Sequence, residues 1–303
     1  MTDGSRLASG LLGSRQMKWQ RGHRSPNVID RRGASGGGGA GLLGPMMAIG
    51  SKFGIVGVVV AAGLYFGSQM LLGGSGSVAL SGEPQSRAAG AAGDERAEFV
   101  HFVLDDAQAT WTQKFSQGGR TYAPAKLVLF TEQTRSGCGV GSAEMGPFYC
   151  PRDQQVFIDL GFFEELDRRF GAPGDFAQAY VIAHEIGHHV QTLLGLDSMK
   201  RAARGNAGGA EGISVRLELQ ADCFAGVWAH STKQRQLLDP GDIEEGLAAA
   251  SAIGDDRLQR QSTGRVTPET WTHGSAEQRS RWFRRGLEAG ELASCDTSTV
   301  AQL

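Results

Sequence analysis

Residues 175–194, DFAQAYVIAHEIGHHVQTLL, set the tightest limit on what this chain can become. Val181, Ile182, Ala183, Ile186 and Val190 are apolar on every side of His184, Glu185 and His188, so the helix they predict is buried. Burying two imidazoles and a carboxylate without partners costs several kcal/mol, on the order of 2–7 for each unpaired polar group. A metal ion removes that cost. On a helix, residues four apart share a face, so His184 and His188 can present their rings to one ion. Glu185, one residue past the first ligand, is then within reach of a water on that ion. Zn²⁺ with two histidines, and a carboxylate to deprotonate the water, is the arrangement used to hydrolyse a carbonyl compound.

Two histidines need a third protein ligand. Gln191 and Leu194 stand three and six residues beyond His188, where a metzincin would carry Gly and His, so that class is excluded. The better candidate lies in SVRLELQADCFAGVWAH, where Glu218 and Asp222 sit four apart on a second apolar helix, 213–231. Carboxylates at that spacing repel unless a positive group lies beside them. Glu218 is the expected ligand. Asp222 is expected behind it, accepting the outer N–H of a metal-bound histidine, His184 first. An ordinary acidic helix face is the plain alternative, and Glu211 is the reserve ligand. His273, in WTHGS, is the remaining candidate for polarising a carbonyl or holding the oxyanion. His189 is off the 184/188 face, and His101 and His230 read as ordinary surface or core residues.

The rest of the chain reads as α+β, one helix-dominated domain over 95–297 with a small sheet. Helical spacing marks 95–117; KLVLF (126–130) and QVFIDL (155–160) read as strands; 162–170 reads as a short helix. Asp239-Pro240 opens another helix, and Ser275-Ala-Glu-Gln278 is a capping box opening the last, with Trp282 and Phe283 inward. All four cysteines lie in this part. Cys138 and Cys150 flank a Gly-rich turn, which favours that pair and leaves Cys223 with Cys295; a 138–223 pairing is the competitor. No CxxC exists to suggest cysteine-bound zinc.

The first third differs. The chain holds 45 glycines, concentrated around 33–50 and 73–93, segments that read as connectors. Between them Phe53 to Leu72 carries no charge. At ~1.5 Å per residue it is long enough to span a bilayer core of about 30 Å. Eight basic residues precede it (Arg6, Arg15, Lys18, Arg21, Arg24, Arg31, Arg32, Lys52), against Asp3 and Asp30. The expected organisation is therefore a cytoplasmic tail (1–52), a transmembrane helix (53–72), a linker (73–94) and an exported domain, periplasmic or extracellular, where disulfides are permitted. Topology accounts for the basic tail, and a net charge of −2 gives no reason to expect a nucleic-acid partner.

HEIGHH followed by ELQAD resembles the gluzincin pattern of a HExxH helix plus an ExxxD helix. More fully, MKWQRGHRSPNVIDRRG (17–33), the apolar segment after it, SGCG…GPFYCPRDQQVFIDLGFF, AHEIGHHVQ, RLELQADCFAGVWAH and THGSAEQRSRWF together resemble the neutral zinc metallopeptidase family of bacterial membrane-anchored proteins, over about 17–297. That resemblance implies metal binding more firmly than proteolysis, and implies that Met17 is the usual start. The gluzincin likeness gives GPFYCPRDQQVFIDL a role as the cleft-edge strand that pairs with an extended peptide, the alternative being a plain core strand. The expectation is a membrane-anchored Zn²⁺ metallopeptidase acting on peptides or proteins. In it His184, His188 and Glu218 are ligands, Glu185 is the general base, His273 assists and Asp222 stands behind the site. The rival is a non-catalytic, zinc-stabilised peptide- or protein-binding module. An intact Glu185 favours the enzyme, since a structural zinc needs no base.

Overall fold

The computed structural model describes residues 17–33, 85–196, 208–300 and 302–303. The chain divides into two units, Met1–Gly33 with Gly90–Leu303, and Ala34–Ala89. The predicted membrane helix at 53–72 lies outside the described residues. Among those described, no helix is long and apolar enough to cross a membrane.

In chain order the elements are β1 (Val28–Asp30), α1 (Gln85–Gln117), β2 (Lys126–Phe130), β3 (Gln133–Ser136), β4 (Gly139–Ser142), β5 (Phe148–Cys150), β6 (Gln155–Asp159), α2 (Gly161–Arg168), α3 (Asp175–Leu193), α4 (Ile213–Gln234), α5 (Asp242–Ala252), α6 (Asp255–Thr263) and α7 (Ala276–Ala289). The fold is α+β, as expected, with a four-stranded sheet ordered β1-β2-β6-β5 and a separate β3–β4 hairpin. β1, β2 and β6 are parallel, and β5 runs antiparallel to β6. The central strands β2 and β6 are the two apolar runs with sheet neighbours on both sides, which is why their side chains are buried on both faces.

Two sequence boundaries are corrected. Residues 17–33 are not a detached tail: Val28, Ile29 and Asp30 pair with Leu127, Val128 and Leu129. Met17 is 2% exposed, the Lys18 N–H donates to the Leu237 carbonyl, Trp19 stacks edge-on to Phe99, and Arg21 pairs with Glu95. A strand so short has no stability of its own; a partner a hundred residues away supplies it. Likewise the stretch 73–94 is not linker throughout, because α1 begins at Gln85.

α3 is the hub. Gly174 and Asp175 open it, and the chain leaves through Gly195 at φ 76°. It packs against α4 and α5, and α4 packs in turn against α7. Gly187 sets the α3–α4 distance: a Cβ there would meet the Ala221 carbonyl oxygen at 2.9 Å and its Cα at 3.0 Å. The glycine between the two site histidines thus lets the second helix come close enough to add its own side chain. Both expected disulfides form. Cys138–Cys150 links the hairpin turn to β5, and Cys223–Cys295 ties α4 to the turn after α7.

Candidate metal centre

α3 and α4 bring His184, His188 and Glu218 together, with one ligand atom from each lying within 4.8 Å of the others. His184 Nε2 and His188 Nε2 are 3.3 and 3.6 Å from the same oxygen, Glu218 Oε2. The rings stand nearly perpendicular with centroids 4.8 Å apart, converging their Nε2 atoms instead of stacking. Burial alone would raise the Glu218 carboxyl pKa, but the facing His188 and His184 imidazoles hold it well below the usual carboxylate range. Glu218 is therefore an anion with two nitrogen donors beside it. Two imidazoles and one carboxylate is a donor set that suits Zn²⁺, leaving a coordination position for water or substrate. The residues present fit the ion.

Each histidine is held from behind. His184 Nδ1 lies 2.8 Å from Asp222 Oδ1. His188 Nδ1 lies 3.0 Å from Gln191 Oε1, and the Gln191 amide is fixed by donating to the Leu217 carbonyl and to Gln220 Oε1. A carboxylate or amide oxygen accepts, so both Nδ1 atoms donate outward and both Nε2 atoms face inward toward Glu218. Gln191 entered the sequence reading only as a non-ligand; position i+3 from His188 on the same helix was the signal for its role.

Asp222 is fully buried and has further partners that the sequence did not reveal. Tyr180 donates its hydroxyl to Oδ1 at 2.5 Å, and Arg279 from α7 donates Nε–H to Oδ2 and a terminal N–H to Oδ1, both at 2.9 Å. Burial would raise the Asp222 pKa, but Arg279 and His184 keep it low.

Glu185 is buried yet lines the same cleft of about 950 Å³ as His184, His188 and Glu218. His273 also lines it, held by Asp255: that carboxylate accepts from the backbone N–H groups of Thr272, His273 and Gly274 and from His273 Nδ1 at 3.2 Å. Burial lowers the His273 pKa, but Asp255 and then Glu218 raise it more, favouring the imidazolium. Within GPFYCPRDQQVFIDL, β6 lies between β2 and β5, while β5 ends the sheet, and Phe148 and Tyr149 line the cleft with Phe162 of α2.

The remaining histidines stay out of the cluster. His189 is buried on the other side of α3, with Nε2–H donating to the Ala123 carbonyl and Nδ1 accepting from the Tyr149 hydroxyl; burial lowers its pKa. His101 Nδ1 accepts from Ser25 N–H, and His230 Nδ1 donates to the Leu287 carbonyl. The reserve ligand Glu211 is exposed and faces Arg216.

This chain is 48% identical over 283 residues to the uncharacterised protein YpfJ of Escherichia coli K12, covering 93% of this chain and 98% of the other. It is 50% identical over 193 residues to uncharacterised proteins of Mycobacterium bovis and Mycobacterium tuberculosis, covering 60% of this chain and 65% of theirs. No solved structure matches it. With the HEIGHH helix, the Glu218 helix and the segment from Met17 all inside one match spanning residues 17–298, the chain belongs to the family described as "Putative neutral zinc metallopeptidase".

Proposed function

We propose that this protein is a zinc-dependent peptidase that hydrolyses peptide bonds in the cleft above α3. The observation that carries this reading is one arrangement: three convergent donors (His184, His188, Glu218) with a carboxylate, Glu185, next in sequence to the first and facing the same cleft. Bound zinc would be held by those three side chains and would supply Lewis acidity toward a water and a peptide carbonyl.

The protein's own groups have separable tasks. Glu185 takes a proton from the attacking water and returns it to the leaving amine, so one carboxylate serves as base and then as acid. His273, fixed through Nδ1 by Asp255, has its other ring nitrogen available to donate a hydrogen bond to the carbonyl oxygen as charge develops there. β5, at the sheet end, offers main-chain groups to an extended peptide, so backbone pairing sets the register and side-chain pockets set the preference. A structural zinc site gives Glu185 and His273 nothing to do, which favours catalysis over a binding module.

The test uses two substitutions. Glu185→Gln is expected to keep stoichiometric zinc and lose peptide hydrolysis, since it removes the base and spares the ligands. Glu218→Ala is expected to lose the metal. Unchanged zinc affinity in Glu218→Ala would refute the ligand set, and a zinc-loaded wild type that cleaves nothing in a broad peptide library would refute the enzyme.

A further inference from the structure

Arg279 is 2% exposed and Asp222 fully buried, and together they form the most deeply enclosed ion pair of the centre. The contact is side-on: Nε and one terminal nitrogen each donate to a different carboxylate oxygen at 2.9 Å. The same terminal nitrogen is 3.2 Å from the Tyr180 hydroxyl and 3.4 Å from His184 Nδ1, and the other donates to the Ile253 carbonyl at 3.3 Å. Resting on the metal-site reading above, we infer that Arg279 is a positioning residue for the metal ligand His184, acting through Asp222.

The argument is geometric. A carboxylate on a short side chain can rotate about its last bond. A planar two-point fork fixes that rotation in a way a single contact does not. With Oδ2 engaged by Nε and Oδ1 by the terminal nitrogen and Tyr180, the carboxylate plane is set, and Oδ1 is delivered 2.8 Å from His184 Nδ1. All its other partners donate, so Asp222 acts only as acceptor and His184 donates its Nδ1–H to it. The ring's other nitrogen, Nε2, is thereby turned toward Glu218. α7 thus orients a ligand it does not carry. Its start is itself fixed, by a reciprocal capping box between Ser275 and Gln278 immediately before Arg279. His273 lies six residues upstream of Arg279, so one segment brings a group to the cleft and a brace to the back of the metal helix.

The experiment replaces Arg279 in the full chain with Met and with Lys. It reads zinc affinity by chelator competition, the absorption spectrum of the Co²⁺-substituted protein, and the solvent-exchange rate of the His184 Nδ1–H in metal-free protein. Arg279→Met is expected to weaken zinc binding by about 10–100-fold, the usual cost of losing an outer-shell partner. It should also alter the Co²⁺ spectrum and speed exchange of the His184 Nδ1–H. Arg279→Lys restores the charge but not the fork, and is expected to recover only part of the affinity. In an Asp222→Asn background, Arg279→Met is expected to add little further loss, because its route to the ligand is already cut. A folded Arg279→Met with zinc affinity within twofold of wild type would overturn the inference, and so would fully additive losses in the double variant. If Arg279→Met does not fold, a Lys variant with wild-type affinity and spectrum overturns it equally. Zinc binding without peptide hydrolysis would remove the peptidase reading and leave this one intact. Were zinc not to bind at all, a His184 Nδ1–H that exchanges no faster after loss of Arg279 would still refute the brace.

Discussion

At the end of α3 away from the metal cluster, Asp175, Asp242 and Glu245 bring three carboxylates within 4.8 Å of one another. Both Asp175 oxygens are buried, and Glu245 Oε2 accepts from the Phe176 N–H at 3.3 Å. Asp239 and Glu244 add negative charge nearby, and Lys18, 3.9 Å from Asp239, is a weak counterweight. Burial, then mutual repulsion, pushes Asp175 up to about 6 and Glu245 up to about 7. A carboxyl whose pKa is higher folded than unfolded holds its proton longer in the native state. Stability therefore falls as pH rises from 4.5 toward 7, and the full penalty applies above that window. For Glu245 the rise corresponds to ~3 kcal/mol at about 1.4 kcal/mol per tenfold step. Partial exposure and sharing of the repulsion with Asp175 reduce this to ~1–2 kcal/mol. Glu245→Gln removes the charge and keeps an oxygen for the Phe176 N–H. In urea unfolding it is expected to be ~1–2 kcal/mol more stable than wild type at pH 8, with the gain shrinking toward zero at pH 4.5. An equal gain at both pH values, or a loss at pH 8, would refute the reasoning.

Other expectations follow from single contacts. Removing the Cys223–Cys295 bridge, with a separation of 72 residues, is expected to cost ~4 kcal/mol by loop entropy, against ~3 for Cys138–Cys150 with 12; denaturant unfolding of the paired Cys→Ala variants should preserve that order. Gly226→Ala would place a Cβ 2.1 Å from the Phe283 carbonyl oxygen where α4 crosses α7, so a loss of ~1–3 kcal/mol or more is expected in thermal unfolding. His273→Ala is expected to keep zinc content and lower kcat by about 100-fold; an unchanged kcat would assign the ring to substrate binding or to nothing.

What could be read in advance was whatever repeats at helical spacing. His184, Glu185, His188, Glu218 and Asp222 each stand out because a polar group on an apolar helix face demands a partner, and both disulfides followed from their setting. Arg279 did not stand out: it is one of several arginines in RSRWFRR and its neighbourhood, and only the approach of a buried carboxylate from another helix singles it out. β1 and β5 escaped for the same reason. Strands of three residues carry no periodicity, and their pairing is decided by neighbours distant in sequence. The β3–β4 hairpin leaves no strand signal in the sequence because its residues are almost wholly polar or glycine. α6 was missed because DDRLQRQST lacks an apolar stripe.

The pairing of β1 with β2 also constrains compartments. Hydrogen-bonded neighbours lie on one side of any bilayer, so Asp30 and Leu129 cannot be parted by a lipid barrier. An odd number of crossings between residues 33 and 90 would part them, whereas an even number would not. The charge-free run at 53–72 has length for one helical crossing, since each needs about 20 residues. The basic residues before it then do not by themselves set the side on which the His184–Glu218 centre lies, because β1 and that centre belong to one folded unit. Impermeant labels at Arg24 and at Gly119, both exposed, should react together or not at all; labelling of one alone would mean that β1 leaves the sheet in the cell.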